Sequence, residues 1–148
     1  MQKKINPPND QAIGRSKGGL STKIHTLTDA LGCPTAFHLT GGQAHDLDGS
    51  DVLISEMQSD LLLADRAYDA DERVHDKLAS LEKKAVIPAK KNRKNPKPHD
   101  KELYKSRHLI ENFFAKLKHY RGIATRYDKL ASSFMSGIYL IASVILLK

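Results

Sequence analysis

The sequence has no tryptophan and a single cysteine, Cys33, among 148 residues. One cysteine excludes an internal disulfide and a cysteine-based zinc cage, and it points to a reducing, cytoplasmic setting. None of the seven histidines falls in an H-E-x-x-H pattern or a zinc-like cluster. The longest apolar stretch, Phe134 to Leu147, is shorter than the roughly 20 residues a membrane span needs, so it predicts a buried helix and no membrane partner. The first residues, MQKKINPPNDQ, carry charge but no apolar run and do not read as a secretory signal. Apolar residues make up 40% of the chain and gather in a few blocks. That suits one domain with a modest core.

What the chain has in surplus is positive charge. Lysine and arginine number 24 against 17 acids, a formal net charge of +7. Such an excess favours a polyanionic partner, most commonly nucleic acid, although scattered surface lysines give the same total. Their distribution decides. Lys83, Lys84, Lys90, Lys91, Arg93, Lys94 and Lys97 follow one another with no acid between them. A basic, proline-punctuated loop of this kind is suited to gripping DNA phosphates. Any one of its residues alone could equally be a solvated surface charge.

The pattern of elements is mixed. Residues 1–12 read as an irregular segment, and low apolar content with glycines extends that expectation to about residue 21. Thr22–Thr28 alternates apolar and polar side chains, and Thr35–Thr40 follows after Asp29-Ala30-Leu31-Gly32, predicting a β-hairpin. Asp46 or Asp48 is placed to cap a helix to about Met57, with Val52, Leu53, Ile54 and Met57 inward. Leu61–Ala64 is a short apolar run, as in a strand buried on both faces. A helix over 71–81 follows, with Val74, Leu78 and Leu81 at helical spacing. Next come a strand at Ala85–Ile87, a loop over 89–100, and helices over 101–120 and 130–147. Strands interleaved with helices predict an α/β fold with one mixed sheet and helices on its faces.

The 101–120 helix carries the most chemistry. Leu103, Ile110, Phe113, Phe114 and Leu117 form an apolar stripe, while Lys105, His108, Asn112, Lys116 and His119 face solvent. Tyr104, Arg107, Glu111 and Lys118 lie on the border, within an arc of roughly 60°. A half-buried glutamate there can bind a divalent cation, with Arg107 and Lys118 holding phosphates on either side. The plainer reading is an Arg107–Glu111 pair that only supports the helix. Asp65 is the second candidate. It stands just past a predicted central strand, where open α/β sheets place their sites, although an aspartate there can simply cap a turn. GRSKGGLST lacks the lysine placement of a phosphate-binding P-loop, which excludes nucleotide binding. Its Arg15, Lys17 and glycine amides can still touch a DNA backbone. His45-Asp46 is a weaker candidate for supporting the site.

The segment YKSRHLIENFFAKLKHYRGIATRYDKL is similar to the C-terminal signature of bacterial insertion-sequence transposases of the DDE class. That signature is Tyr, two residues, Arg, three residues, Glu, six residues, Lys, and it matches Tyr104, Arg107, Glu111 and Lys118. GRSKGGLSTKIH, LTGGQAHD and LLADRAYD resemble further blocks of these enzymes in the same order. Residues 13–148 thus resemble a partial DDE catalytic domain. The resemblance implies a ribonuclease-H-like fold and an endonuclease that recombines DNA by nicking and strand transfer. It implies two Mg2+ or Mn2+ ions held by an Asp-Asp-Glu triad, in which Asp65 matches the second aspartate and Glu111 the glutamate. Tyr104, Arg107 and Lys118 match positions associated with DNA and phosphate contacts. The implied partners are double-stranded DNA, both element ends and target, and further copies of the chain, in a bacterial, nucleoid-associated setting.

Two departures from the pattern stand out. Ala67 replaces a common glycine, and the family's first aspartate, on a strand upstream of GRSKGG, has no counterpart. Asp10, flanked by PPN and QAI, is a poor substitute because no apolar strand surrounds it. The expectation is therefore an N-terminally truncated or split enzyme, completed by an upstream-encoded portion and inactive alone. The alternative is an inactive fragment that only binds DNA.

Overall fold

A computed structural model describes residues 9–148. Most of the irregular segment expected at 1–12 lies outside the described residues. Immediately after it the chain is already ordered, against the expectation of irregularity to residue 21. Gly14–Ser16 (β1) and Gly19–Thr28 (β2) form a tight antiparallel hairpin, with Ser16 opposite Gly19. Gly19 takes φ +105°, a conformation that glycine adopts without the strain a side chain would impose. A three-residue strand containing glycine has no readable alternation, which explains why the pattern misses it.

The predicted hairpin is present. β2 pairs antiparallel with Pro34–Gly41 (β3), from Thr22 opposite Gly41 to Thr28 opposite Pro34. Period-2 alternation then sorts the side chains onto two faces. Ile24, Phe37 and Leu39 face one core, with Phe113 and Leu117 and with Phe134, Ile138 and Ala142. His25, on the opposite face, packs against Gly49 of Asp46–Leu53 (α1). Helices therefore cover both faces of this sheet, as the pattern predicts.

The second half of the chain does not join the same sheet. Leu61–Leu63 (β4) pairs in parallel with Lys84–Val86 (β5), in a separate two-stranded sheet. The fold is thus mixed α/β, with one antiparallel and one parallel sheet in place of a single mixed sheet. β4 is half-buried and not buried on both faces, because among the described residues its only strand partner is β5. A second core of Leu47, Ile54, Met57, Val74, Leu78 and Ile87 lies between α1 and this sheet.

Helix ends depart most from the pattern. α1 is capped by His45, whose Nδ1 accepts from the Leu47 amide while Asp48 accepts from the His45 amide, so neither predicted aspartate is the cap. A 3-10 turn, Ile54–Glu56, completes that helix; Leu53, Ile54 and Met57 are buried and Val52 is half-buried. The 71–81 helix opens with a π turn, Asp71–His75, before Asp76–Ser80 (α2). Val74 and Leu78 are buried there, but Leu81 is exposed, since the helix has ended before it. The single helix expected over 101–120 is Lys101–Lys105 (α3) and His108–Lys118 (α4), joined by i→i+3 bonds through Ser106. Leu103 is consequently exposed rather than part of the apolar stripe. Arg121–Ala124 (α5) and Ala131–Leu146 (α6) close the fold, and no helix of the described residues is long and apolar enough to cross a membrane.

Candidate active site

Asp65 stands two residues past the end of β4 and caps the 3-10 turn Arg66–Tyr68, its Oδ1 accepting from the Ala67 amide at 2.8 Å. The turn-capping role is therefore real, but it uses one oxygen only. The other, Oδ2, accepts from Arg107 Nη2 at 3.2 Å, a contact between residues 42 apart in sequence. Arg107 sits at the α3–α4 break, and its Nη1 donates to Glu111 one turn further on. One guanidinium thus joins the two carboxylates that the sequence singles out. The side chains of Asp65 and Glu111 are 39% and 58% exposed, which leaves both open to a ligand.

Tyr68 closes the 3-10 turn that Asp65 caps and packs against the second core. Burial, then the negative charges of Asp46 and Asp65, push its hydroxyl up to about 12, with Arg107 acting in the opposite direction. Tyr68 therefore stays protonated and can serve as a hydrogen-bond donor. Asp46, at the start of α1, is paired with Lys23 of β2 at 2.8 Å, and Lys23 also donates to the Ala44 carbonyl. Lys23 and Tyr68 are not singled out by spacing, and Asp46 stands out there mainly as a helix cap. All three lie inside the blocks STKIH, QAHD and RAYD, which is the signal that could have found them.

The other sequence candidates are distributed around this centre. Tyr104 is on α3, half-buried and edge-on to His99 at 5.6 Å, while Lys118 is exposed at the far end of α4. Lys90, Lys91 and Lys94 are exposed on the loop before α3, and Arg15 and Lys17 are exposed on the first hairpin. Arg93 turns inward instead. It donates to Asp69 at 2.7 Å and also pairs with Asp71, so its charge is already committed within the protein. Asp10 accepts from the Ala12 amide and lines a pocket with His38 and Thr40.

Chemically, the arrangement offers two carboxylates with a guanidinium between them. Among the described residues no group of three or more His, Cys, Asp or Glu side chains is placed to hold a metal ion. Asp65 and Glu111 are two hard donors, not a closed cage.

Comparison with known proteins identifies the family of the chain. The family model described as "Transposase DDE domain" matches residues 4–146. The chain is 36% identical over 130 residues to a Brucella ovis protein named "Putative transposase for insertion sequence element IS6501", covering 87% of this chain and 100% of that one. No solved structure matches the chain. With nearly its whole length inside the family model, the chain belongs to the transposase DDE domain family.

Proposed function

We propose that this chain forms the Asp65–Glu111 portion of an insertion-sequence transposase site, which cleaves DNA at element ends and joins them to a target. The observation that carries this reading is Arg107 linking Glu111, one turn on, to Asp65, 42 residues back in sequence. A helix-supporting ion pair would not require the second contact. In the reaction, water attacks a phosphodiester and the P–O3′ bond breaks, freeing a 3′-hydroxyl. That hydroxyl then attacks a target phosphodiester, one P–O bond forming as another breaks in line.

The family generally uses divalent metals, and the donor set suits Mg2+ or Mn2+. Such ions take oxygen ligands, commonly one or two carboxylates with water and substrate phosphates. Asp65 and Glu111 would hold them, and two bound ions would activate the attacking oxygen and stabilise the leaving one. Arg107 bridges the two carboxylates, and once metal ions took over those oxygens it would be released to bind a DNA phosphate. Lys118, Tyr104 and the exposed lysines of the 90–94 loop contact the DNA backbone.

We read the two sheets as parts of one ribonuclease-H-like sheet, divided where a further strand carrying the first aspartate would lie. In support, β2 beyond Ser21 has a strand partner only on its β3 side, and β4 pairs only with β5, among the described residues. Open edges of this kind accept an added strand. The test is reconstitution with a segment that supplies this strand. The assembly nicks element ends when Mg2+ is added, and Asp65→Asn or Glu111→Gln abolishes nicking; nicking that survives both substitutions refutes the assignment. The second reading is a chain that binds DNA without cleaving it, in keeping with the lack, among the described residues, of any group of three or more His, Cys, Asp or Glu side chains placed to hold a metal ion. It predicts salt-sensitive DNA binding without cleavage, whatever metal is supplied.

A further inference from the structure

Asp69 is the most enclosed carboxylate among the described residues, at 3% exposure, and it lies four residues beyond Asp65. Three donors reach it from two directions. His75 Nε2 approaches at 2.9 Å from the π turn; the Lys90 amide at 2.9 Å and Arg93 Nη1 at 2.7 Å come from the basic loop. Burial alone would raise the Asp69 carboxyl, but the hydrogen bonds from Lys90 and His75, together with Arg93, hold it below the usual range.

Around this carboxylate the basic loop is folded rather than slack. Arg93 Nε donates to the Asn95 carbonyl at 3.0 Å, and the Arg93 amide to the Lys90 carbonyl at 3.1 Å. Asp71 adds an outer tie, pairing with Arg93 and with Lys97. Within the loop the cations therefore divide into two sets. Arg93 and Lys97 are paired with acids, whereas Lys90, Lys91 and Lys94 are exposed and have no acid within ion-pair distance among the described residues.

We propose that Asp69 is a positioning residue that latches the 90–97 segment, so that Lys90, Lys91 and Lys94 form a preshaped cradle for the DNA backbone. The proposal rests on the reading of this loop as a DNA contact. A slack loop pays the entropy of ordering its backbone and lysines when DNA binds; a latched one has paid it during folding. The latch hangs from the same turn that presents Asp65, and the loop runs on to Asp100, the cap of α3, and hence to Arg107. Loop and carboxylate are thereby held to a common frame.

The sign of one measurement separates this role from simple charge. Asp69→Asn raises the formal net charge from +7 to +8, which on bulk electrostatics tightens DNA binding. Latching predicts the opposite, a Kd for a labelled random-sequence duplex weaker by on the order of tenfold at fixed salt. Asp76→Asn is the charge-matched control, an exposed acid outside the latch, and its Kd stays level or tightens. Should Asp69→Asn fail to fold, the exposed Asp71→Asn loosens the outer tie and carries the same expectation of weaker binding. Replacing Lys90, Lys91 and Lys94 together by alanine lowers the slope of log K against log salt by up to about 2.7. An unchanged slope overturns the reading of the loop as a DNA contact. A lowered slope with Asp69→Asn, or its stand-in Asp71→Asn, binding as tightly as the unaltered chain overturns the latch alone.

Discussion

Arg126 ties the start of the described chain to its end, and Arg126→Ala should be among the most damaging single changes outside the apolar core. Its Nη1 donates to Thr22 Oγ1 at 2.7 Å and to the Ala12 carbonyl at 3.3 Å; its Nε and Nη2 cap the Asp128 and Lys129 carbonyls. The guanidinium also lies over the Phe134 ring, 4.9 Å from the centroid. Thr22 still donates to the Ala12 carbonyl at 2.6 Å when Arg126 is removed, so that acceptor is not orphaned. The two half-buried bonds then cost about 1–2 kcal/mol together, and the cation–π contact a further 0.5–1 or so. The two exposed carbonyl contacts add little. A loss of about 1.5–3 kcal/mol lowers the Tm of a domain of this size by roughly 4–10 °C. Thermal and urea unfolding followed by circular dichroism measure it. Arg126→Met keeps an apolar cover over Phe134 and should recover part of the loss. A Tm for Arg126→Ala within about 2 °C of the unaltered chain refutes the view that this residue staples the two ends.

Two further perturbations probe the sheet face under α1. Burial, reinforced by His38, drives the His25 imidazole down to about 4, so the unfolded chain binds the extra proton between pH 6.5 and 4. Stability therefore rises with pH through that window, by about 3 kcal/mol in total. It is fully present above pH 6.5 and lost as pH falls towards 4. Urea titrations of His25→Gln should show most of that slope gone, with the smaller like-signed contribution of His38 remaining; a slope equal to the unaltered chain's contradicts the assignment. Gly49→Ala places a methyl 2.2 Å from the His25 ring, which is buried and bonded to Thr40 at 2.8 Å. The overlap outweighs the helix-propensity gain of alanine and costs about 1–3 kcal/mol. Unfolding that shows a neutral or stabilising effect would mean the ring is free to move.

What was legible in the sequence is what repeats locally. Alternation marks β2 and β3, and helical spacing marks Phe113 and Leu117 together with Phe134 and Ile138. The order of the main elements follows from those periods. Where an element stops is decided elsewhere: Leu81 and Leu103 fit their helical patterns yet are exposed, because the helix has ended or turned before them. Polar contacts between distant segments leave no periodic trace. Nothing in the spacing shows that Arg93 serves Asp69 and not a phosphate, or that Gln11 Oε1 accepts from the Ala131 amide to begin α6. Ala12 shows the same limit. It is buried at φ +52°, a conformation unfavourable to alanine, and is held there by Thr22 and Arg126 from remote segments.

Arg107 joins the legible part of the site to the rest. Its spacing to Glu111 is visible in the sequence and, taken alone, supports nothing beyond a surface pair worth a few tenths of a kcal/mol. The break at Ser106 is not visible, and it changes what the residue can do. On an unbroken helix Arg107 would belong to the row that includes Tyr104 and Lys118. At the junction of α3 and α4 its two terminal nitrogens reach different elements, one holding Glu111 and the other Asp65. Two half-exposed carboxylates brought to one cation gain little stability in solvent, since exposed pairs contribute about 0–1 kcal/mol. The structural consequence is positional: the contact holds the turn after β4 against the start of α4, which on the proposed function keeps Asp65 and Glu111 within reach of a common ligand.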